Sequence, residues 1–558
     1  MAKRYLPVLR DQPMLLPPDM REWLPPDHPV HLVIAVVEDH LDTSAFHAGR
    51  RTGRAGAAGY DPDMLVTLLV WAYANRVTSS RRMERLCQSD AAFMVICGGN
   101  RPDHVTIARF RAQAGEAMAS LFAEVLGLCA LLGMGKLGVV ALDGMKMGAN
   151  ASKSANRSLA RLAELAAGTV AEHASSDAAE DEAYGPGRHG DEVPEKARSP
   201  QSLAGKKDRA GRIGQALAQL EAERDAEEEA ARQDQAAKTE RFRERKAAGK
   251  RTGPVPASAE AGLAQERVSQ ATAAQQARID DWDARDAAAR AAGGPGLSKR
   301  TRPKSPAASY VRVREARARL GQALERDAAR AARAARERPR SRNITDPGSR
   351  LMPVRDGGFR QGYNTQNVTS EDGLIIATEV TDAPGDVTWF EPMLGKALAA
   401  AGHIASRQPP AAPASPDSTA SRQRGTSLIR LFLADSGYLS ERNLTCPGPD
   451  RLIATGKTRD LEKNTRDPDA GKPPRYAGPA TAAMAERLQS PDGITAYRQR
   501  GHIAETPHAN IKHNLGIRQF TLRGTTKVTA EWNLITAVHN LFKAITTGHL
   551  TAQALTAL

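Results

Sequence analysis

Leu137-Gly138-Val139-Val140-Ala141-Leu142-Asp143-Gly144 is a short, continuous apolar run that stops at an aspartate and a glycine. A run of this kind, without polar alternation, suits a strand buried on both faces, as in an α/β core. The pattern returns far downstream, where Ser427 to Ala434 contains Leu428-Ile429-Arg430-Leu431-Phe432-Leu433 and leads into Asp435-Ser436-Gly437-Tyr438. Between the two, Gln361 to Thr369 and Leu374 to Thr381 read as strands joined by the hairpin turn Ser370-Glu371-Asp372-Gly373. A helix is expected from Val387 to Ala401 with Asp386 as its cap, then a fifth strand from Arg451 to Thr455. Ala530 to Phe542, with Trp532, Ile535, Val538 and Leu541, reads as a closing helix.

Two apolar strands thus end in a carboxylate, Asp143 and Asp435. A carboxylate at a strand end lies at the edge of the core, where a neighbouring strand can bring a second one close. Like charges at that separation repel unless a cation lies between them, and Mg²⁺ takes oxygen ligands of this kind. An Asp-Gly pair after a strand is also a common turn, so these residues alone leave both readings open.

Upstream, the chain reads as a compact helical domain. Asp61-Pro62 supplies a cap and a first helical residue for an apolar helix from Asp63 to Asn75. A second helix is expected from Ser80 to Gln88. After Gly98-Gly99-Asn100, a third from Pro102 to Ala114 interleaves Val105, Ile107 and Phe110 with Arg101, Arg109 and Arg111. Helix, helix, turn, basic helix is the pattern of a helix-turn-helix reader of DNA, with Arg109 and Arg111 as candidate contacts. A helical bundle with a solvated arginine face fits that pattern equally well.

The chain has 558 residues, which at roughly 150 per domain implies three or four units. It is 41% hydrophobic and 25% charged, ordinary for a globular protein. No window approaches the roughly 18 consecutive apolar residues of a membrane span, and the start, Met1-Ala-Lys-Arg-Tyr-Leu-Pro, has no apolar signal core. Cys87, Cys97, Cys129 and Cys446 have neither CxxC nor metal-ligand spacing, so no disulfide framework or zinc site is expected and a reducing cytoplasm fits. A net charge of +14 favours a polyanionic partner, nucleic acid first. Between Ala151 and Ser309 only Tyr184, Phe242 and Trp282 are aromatic, against 21 in the remaining 399 residues. Such a block cannot build a large core. Its Ala, Arg and Glu content, with Ile213, Leu217 and Leu220 at helical spacing and Leu320 and Leu324 four apart, points to long exposed helices. They are broken by Gly249-Lys250-Arg251-Thr252-Gly253-Pro254 and Gly293-Gly294-Pro295-Gly296, and part of the block is expected to be disordered.

Near the C-terminus stands Tyr497-Arg498-Gln499-Arg500-Gly501-His502-Ile503-Ala504-Glu505, followed by Lys512. It resembles the Y-R-E-K signature of bacterial insertion-sequence transposases with a ribonuclease H-like DDE core. Leu142 to Ser152 (LDGMKMGANAS), Gln361 to Gln366 (QGYNTQ) and Ala434 to Asn443 (ADSGYLSERN) are similar to the other motifs of that family, in the same order. The resemblance implies an α/β fold: a ribonuclease H-like mixed sheet with a helical N-terminal domain and a long helical insertion. The corresponding divisions are a DNA-binding domain at 1–135, the first core strand at 136–150, an insertion at 151–345 and the rest of the core at 346–558.

By the same resemblance Asp143, Asp435 and Glu505 are the catalytic carboxylates, converging although 292 and 70 residues separate them. They would hold two Mg²⁺ or Mn²⁺ ions, with Asp143 bridging, for in-line phosphodiester attack across metals about 3.5–4 Å apart. Tyr497, Arg500 and Lys512 would contact DNA near the cleaved end. The implied partners are the terminal repeats and target sites of double-stranded DNA, bound by a homodimer or larger assembly with no membrane involved. Four residues separate Arg500 from Glu505, where the common form has three, and Thr506-Pro507-His508 replaces a proline-plus-aromatic segment. Thr506 as cap with Pro507 first in a helix would leave Glu505 just ahead of that helix. His502, His508 and His513 are expected at the surface or facing DNA. Three other readings stay open: an inactive DNA-binding relative, a nuclease on the same core, and a coiled-coil scaffold.

Overall fold

The computed structural model describes residues 19–48, 59–168, 200–249, 255–336, 341–354, 357–409, 428–456 and 478–558. The start at 1–7, Tyr184 and the 250–254 segment lie outside these residues. The chain forms two compact units, Met1–Ala155 with Thr345–Leu558, and Asn156–Ile344.

The first unit is mixed α/β. Its sheet contains β1 (Val139–Gly148), β2 (Arg350–Pro353), β3 (Phe359–Ser370), β4 (Ile375–Thr381), β5 (Leu431–Ala434) and β6 (Asp450–Ile453). The strand order is β2-β3-β1-β5-β6, with β4 also on β3. β3 runs antiparallel to both β1 and β4, whereas β5 runs parallel to β1 and β6 parallel to β5. The hairpin turn, read correctly as Ser370 to Gly373, closes with the Gly373 amide donating to the Ser370 carbonyl at 2.9 Å.

β1 does not stop at Asp143. The antiparallel ladder to β3 runs from Val140↔Ser370 to Gly148↔Gly362, so Asp143 lies inside the strand, opposite Asn367. The parallel ladder to β5 ends at Leu142↔Ala434. Apolar content located the half of β1 that has strands on both sides and missed the half that pairs with β3 beyond the end of the β5 ladder.

Alternation along β1 sorts its side chains to two faces. Ala141 packs with Leu433, Leu452, Tyr497, Ile503 and Ala504, beneath α7 (Pro479–Gln489) and α8 (Pro491–Ala509). Val140 and Leu142 join the main core with Phe432, Phe390 and Met393, the last two on α6 (Phe390–Arg407). The closing helix α9 (Thr525–Thr546) packs on β4 and on two N-terminal helices, Pro62–Ala74 and Gly115–Leu131, so one hydrophobic core spans the unit. No single helix among the described residues is long and apolar enough to cross a membrane.

Within α9, His539 is buried, with Nε2–H donating to the Gly373 carbonyl at 3.1 Å and Nδ1 accepting from Asn510 at 2.8 Å. Burial holds its pKa down to about 4, from 6.5. The unfolded chain therefore takes up this proton first. The stability that His539 contributes is complete above pH 6.5 and is lost as pH falls towards 4. The loss should be on the order of 3 kcal/mol, and His539→Gln should flatten that part of the pH dependence in urea unfolding.

The second unit is built on three long helices, Pro200–Ala247, Ala257–Ala291 and Val311–Arg336. A short ladder, Asn156↔Asn343 to Ser158↔Ser341, joins its ends. Its small core includes Leu162, Ile213, Ala216 and Leu220. Leu324 is 53% exposed, as on a long exposed helix, while Val313 and Ala323 are buried. Ion pairs such as Arg326 to Glu260, at 2.5 Å, link its helices.

Candidate active site

The parallel pairing of β1 with β5 decides the site. Asp143 and Asp435 each follow one residue after the last paired positions, Leu142 and Ala434, on adjacent strands about 4.8 Å apart. The Asp435 carboxylate accepts from the Gly437 amide at 2.9 Å, fixing the turn that follows.

α8 brings the third carboxylate. Ser490 caps it, accepting from the Gly493 amide at 3.0 Å, and Pro491 takes the first turn. The helix then runs through Glu505 and Pro507 to Ala509. Thr506 is not its cap; its hydroxyl donates back to the His502 carbonyl at 2.6 Å. A Ser-Pro start already exists sixteen residues earlier, and burial of Ile503, Ala504, Pro507 and His508 carries the helix past the proline. Glu505 is mostly solvent-exposed, its side chain 70% accessible.

Arg500 lies among all three carboxylates. Its Nη2 is 3.2 Å from Asp143 and 3.8 Å from Asp435, and its Nη1 is 3.9 Å from Glu505. It is buried, and its Nε has no hydrogen-bond partner among the described residues. Burial, and then the charge of Asp143, push the Asp435 carboxyl above the usual range. Asp143 goes the other way: burial opposes its ionisation, but His508 and Arg500 more than offset it and the pKa falls. Crowded acids around a guanidinium whose own bonding is incomplete are a donor set that fits a divalent cation, with Arg500 holding its charge in place.

Several expected roles change. Tyr497 is buried with its hydroxyl donating to the Ala434 carbonyl at 3.2 Å, and burial pushes its pKa up to about 12. It braces the end of β5, and no face is free to stack on a base. Arg111 is also buried, donating to Tyr73 at 3.1 Å and to the Thr78 carbonyl at 2.7 Å, so it does not face DNA. Arg109 is exposed. Lys512 sits in a wider π-helical turn over Asn510–Asn514; burial and the neighbouring Arg360 lower its pKa. His502 and His513 are exposed, but His508 is buried.

Three contributors escaped the sequence reading. Asp386 makes no capping bond. Its carboxylate accepts from Asn364 at 2.6 Å and from Gln366 at 2.8 Å. A Cβ at Gly144 would stand 2.8 Å from that carboxylate, and one at Gly437 3.2 Å away, so both glycines make room for Asp386. The Tyr438 hydroxyl donates to the side-chain oxygen Oε1 of Gln366, so Gln366 ties Asp386 to the turn after Asp435. Asn367 is the third: its Nδ2 is 3.1 Å from Nε2 of His508, whose Nδ1 is 3.6 Å from Asp143. Gln361 to Thr369 was legible as a strand, but partners this distant in sequence were not.

Residues 18–113 match a family described as a transposase domain (DUF772), and residues 473–545 match one described as a transposase DDE domain. Both matches support an insertion-sequence DDE transposase, and transposase domains imply DNA binding. The second match contains Tyr497, Arg500, Glu505 and Lys512, while Asp143 and Asp435 lie outside both. No curated protein and no solved structure matches the chain.

Proposed function

We propose that the chain cleaves phosphodiester bonds at transposon ends and joins them to target DNA, with Asp143, Asp435 and Glu505 holding two Mg²⁺ or Mn²⁺ ions. The observation that carries this reading is the emergence of Asp143 and Asp435 side by side from parallel strands, with Arg500 among the three acids. The order β4-β3-β1-β5-β6, with β3 alone antiparallel, supports a ribonuclease H-like core. When bound, the metals supply an activated water or 3′-hydroxyl and stabilise the departing oxygen.

The remaining work falls to side chains. Asp143, on the central strand, would hold the cations together with Asp435. Tyr497 and Gln366 hold the segments on either side of Asp435, keeping its carboxylate beside Asp143. Arg500 keeps the acids together before loading and offers its guanidinium to a DNA phosphate afterwards. Lys512 and Arg109 contribute phosphate contacts, the latter from the helical domain at 1–135. The insertion at 151–345 adds a surface for DNA or for a second copy.

The test is purified protein incubated with Mn²⁺ and the DNA ends that flank its own gene. Nicks at those ends are expected. Intact end binding without nicks would favour the inactive, DNA-binding reading instead. Glu505→Gln should abolish nicking and leave binding almost unchanged. Lys512→Ala should weaken binding and reduce the slope of log affinity against log salt by roughly one unit. A wild-type slope in that variant would remove Lys512 from the DNA interface.

A further inference from the structure

We infer that His508 is a positioning residue that holds Asp143 through a fixed tautomer, set by Trp532 and Asn367; the inference rests on the metal-site reading above. An indole N–H can only donate, and Nε1 of Trp532 donates to the Thr378 hydroxyl at 2.6 Å and lies 3.2 Å from a second acceptor, Oδ1 of Asn367. The Thr378 hydroxyl donates to the same oxygen at 2.7 Å. The Asn367 amide is thereby oriented, and the group it turns to His508 is its NH₂, 3.1 Å from Nε2. Nε2 must accept, so the proton of the neutral ring sits on Nδ1. Nδ1 is the atom aimed at Oδ2 of Asp143, 3.6 Å away. That gap exceeds a formed N–H···O bond of about 2.7–3.2 Å, and a small rotation of the carboxylate closes it.

The strands explain why these groups meet. Asp143, Asn367 and Thr378 are register partners across β1, β3 and β4, so their side chains share one face. α8 lays His508 over that face, and α9 supplies Trp532 from beyond it. Asp143 is held on both sides: Oδ1 accepts from the Gly144 amide at 3.0 Å and faces Arg500, while Oδ2 faces His508. When Arg500 yields to a cation, the His508 side still fixes the carboxylate. A partner of this sort behind a metal ligand is worth about 10–100-fold in metal affinity.

The experiment measures Mn²⁺ binding by calorimetry and ring nitrogen shifts by ¹⁵N NMR on the full chain. Wild type should bind Mn²⁺ and show His508, assigned by the signal lost in His508→Asn, as the Nδ1–H tautomer. Asparagine places its amide nitrogen where Nδ1 stands, and glutamine places it where Nε2 stands. His508→Asn should therefore keep Mn²⁺ affinity within a few-fold, while His508→Gln and His508→Ala lose about 10–100-fold. Should the alanine variant fail to fold, the asparagine and glutamine variants decide. An Nε2–H tautomer, or a glutamine variant that binds as wild type does, overturns the inference alone. A wild-type protein that binds Mn²⁺ no better than Asp143→Asn overturns the metal-site reading instead, and the inference with it.

Discussion

Asp143→Asn is expected to slow Mn²⁺-dependent nicking of the flanking DNA ends by about three orders of magnitude or more, with end binding changed little. Metal stabilisation of a developing oxyanion is worth several kcal/mol, and each 1.36 kcal/mol is about tenfold in rate. Asn keeps the volume of Asp143 and its strand pairing to Asn367, so the sheet should survive. It lacks the charge that a cation and Arg500 both seek. Single-turnover nicking beside a gel shift separates the two effects. A variant that nicks within tenfold of wild type would mean that Asp143 is a structural acid, paired with Arg500 and nothing more.

The second large effect concerns stability. Glu531 on α9 is almost fully buried. It accepts from the Tyr73 hydroxyl at 2.8 Å, the Thr521 hydroxyl at 2.5 Å and the Leu522 amide at 2.9 Å. Tyr73 in turn receives Arg111. Glu531→Ala would leave these donors buried without their acceptor. Each donor so stranded costs about 1–3 kcal/mol. Urea unfolding followed by circular dichroism would measure it; a loss under about 1 kcal/mol would show that water or side-chain repacking replaces the carboxylate. The bond also joins the segments at 18–113 and 473–545, so the variant should loosen the helix that carries Tyr73 from α9.

How much of this was readable follows the range of the physics. Apolar runs located β1 and β5 because strands flanked on both sides must be apolar along their length. The aspartates beside them came with the runs. Arg111 was misread although its spacing held the answer. Residues two apart on a helix do not share a face, so Arg109 and Arg111 could not both meet DNA, and Arg111 shares the buried face of Ile107. Pro507 misled because a proline after a threonine looks like a helix start, while the true start, Ser490-Pro491, carries the same pattern. His508 was out of reach. Its meaning depends on Asn367, 141 residues away, and on Trp532, 165 residues further from that asparagine, which only the sheet register brings together.

The most direct test of the central claim is anomalous scattering from crystals of the full chain with Mn²⁺ and a flanking DNA end. Manganese peaks bonded to the carboxylates of Asp143 and Asp435 are expected, with the Arg500 guanidinium moved off Asp143 towards a phosphate. Crystals in which Arg500 still lies against Asp143 and Asp435, with DNA bound and manganese absent or held elsewhere, would contradict the claim.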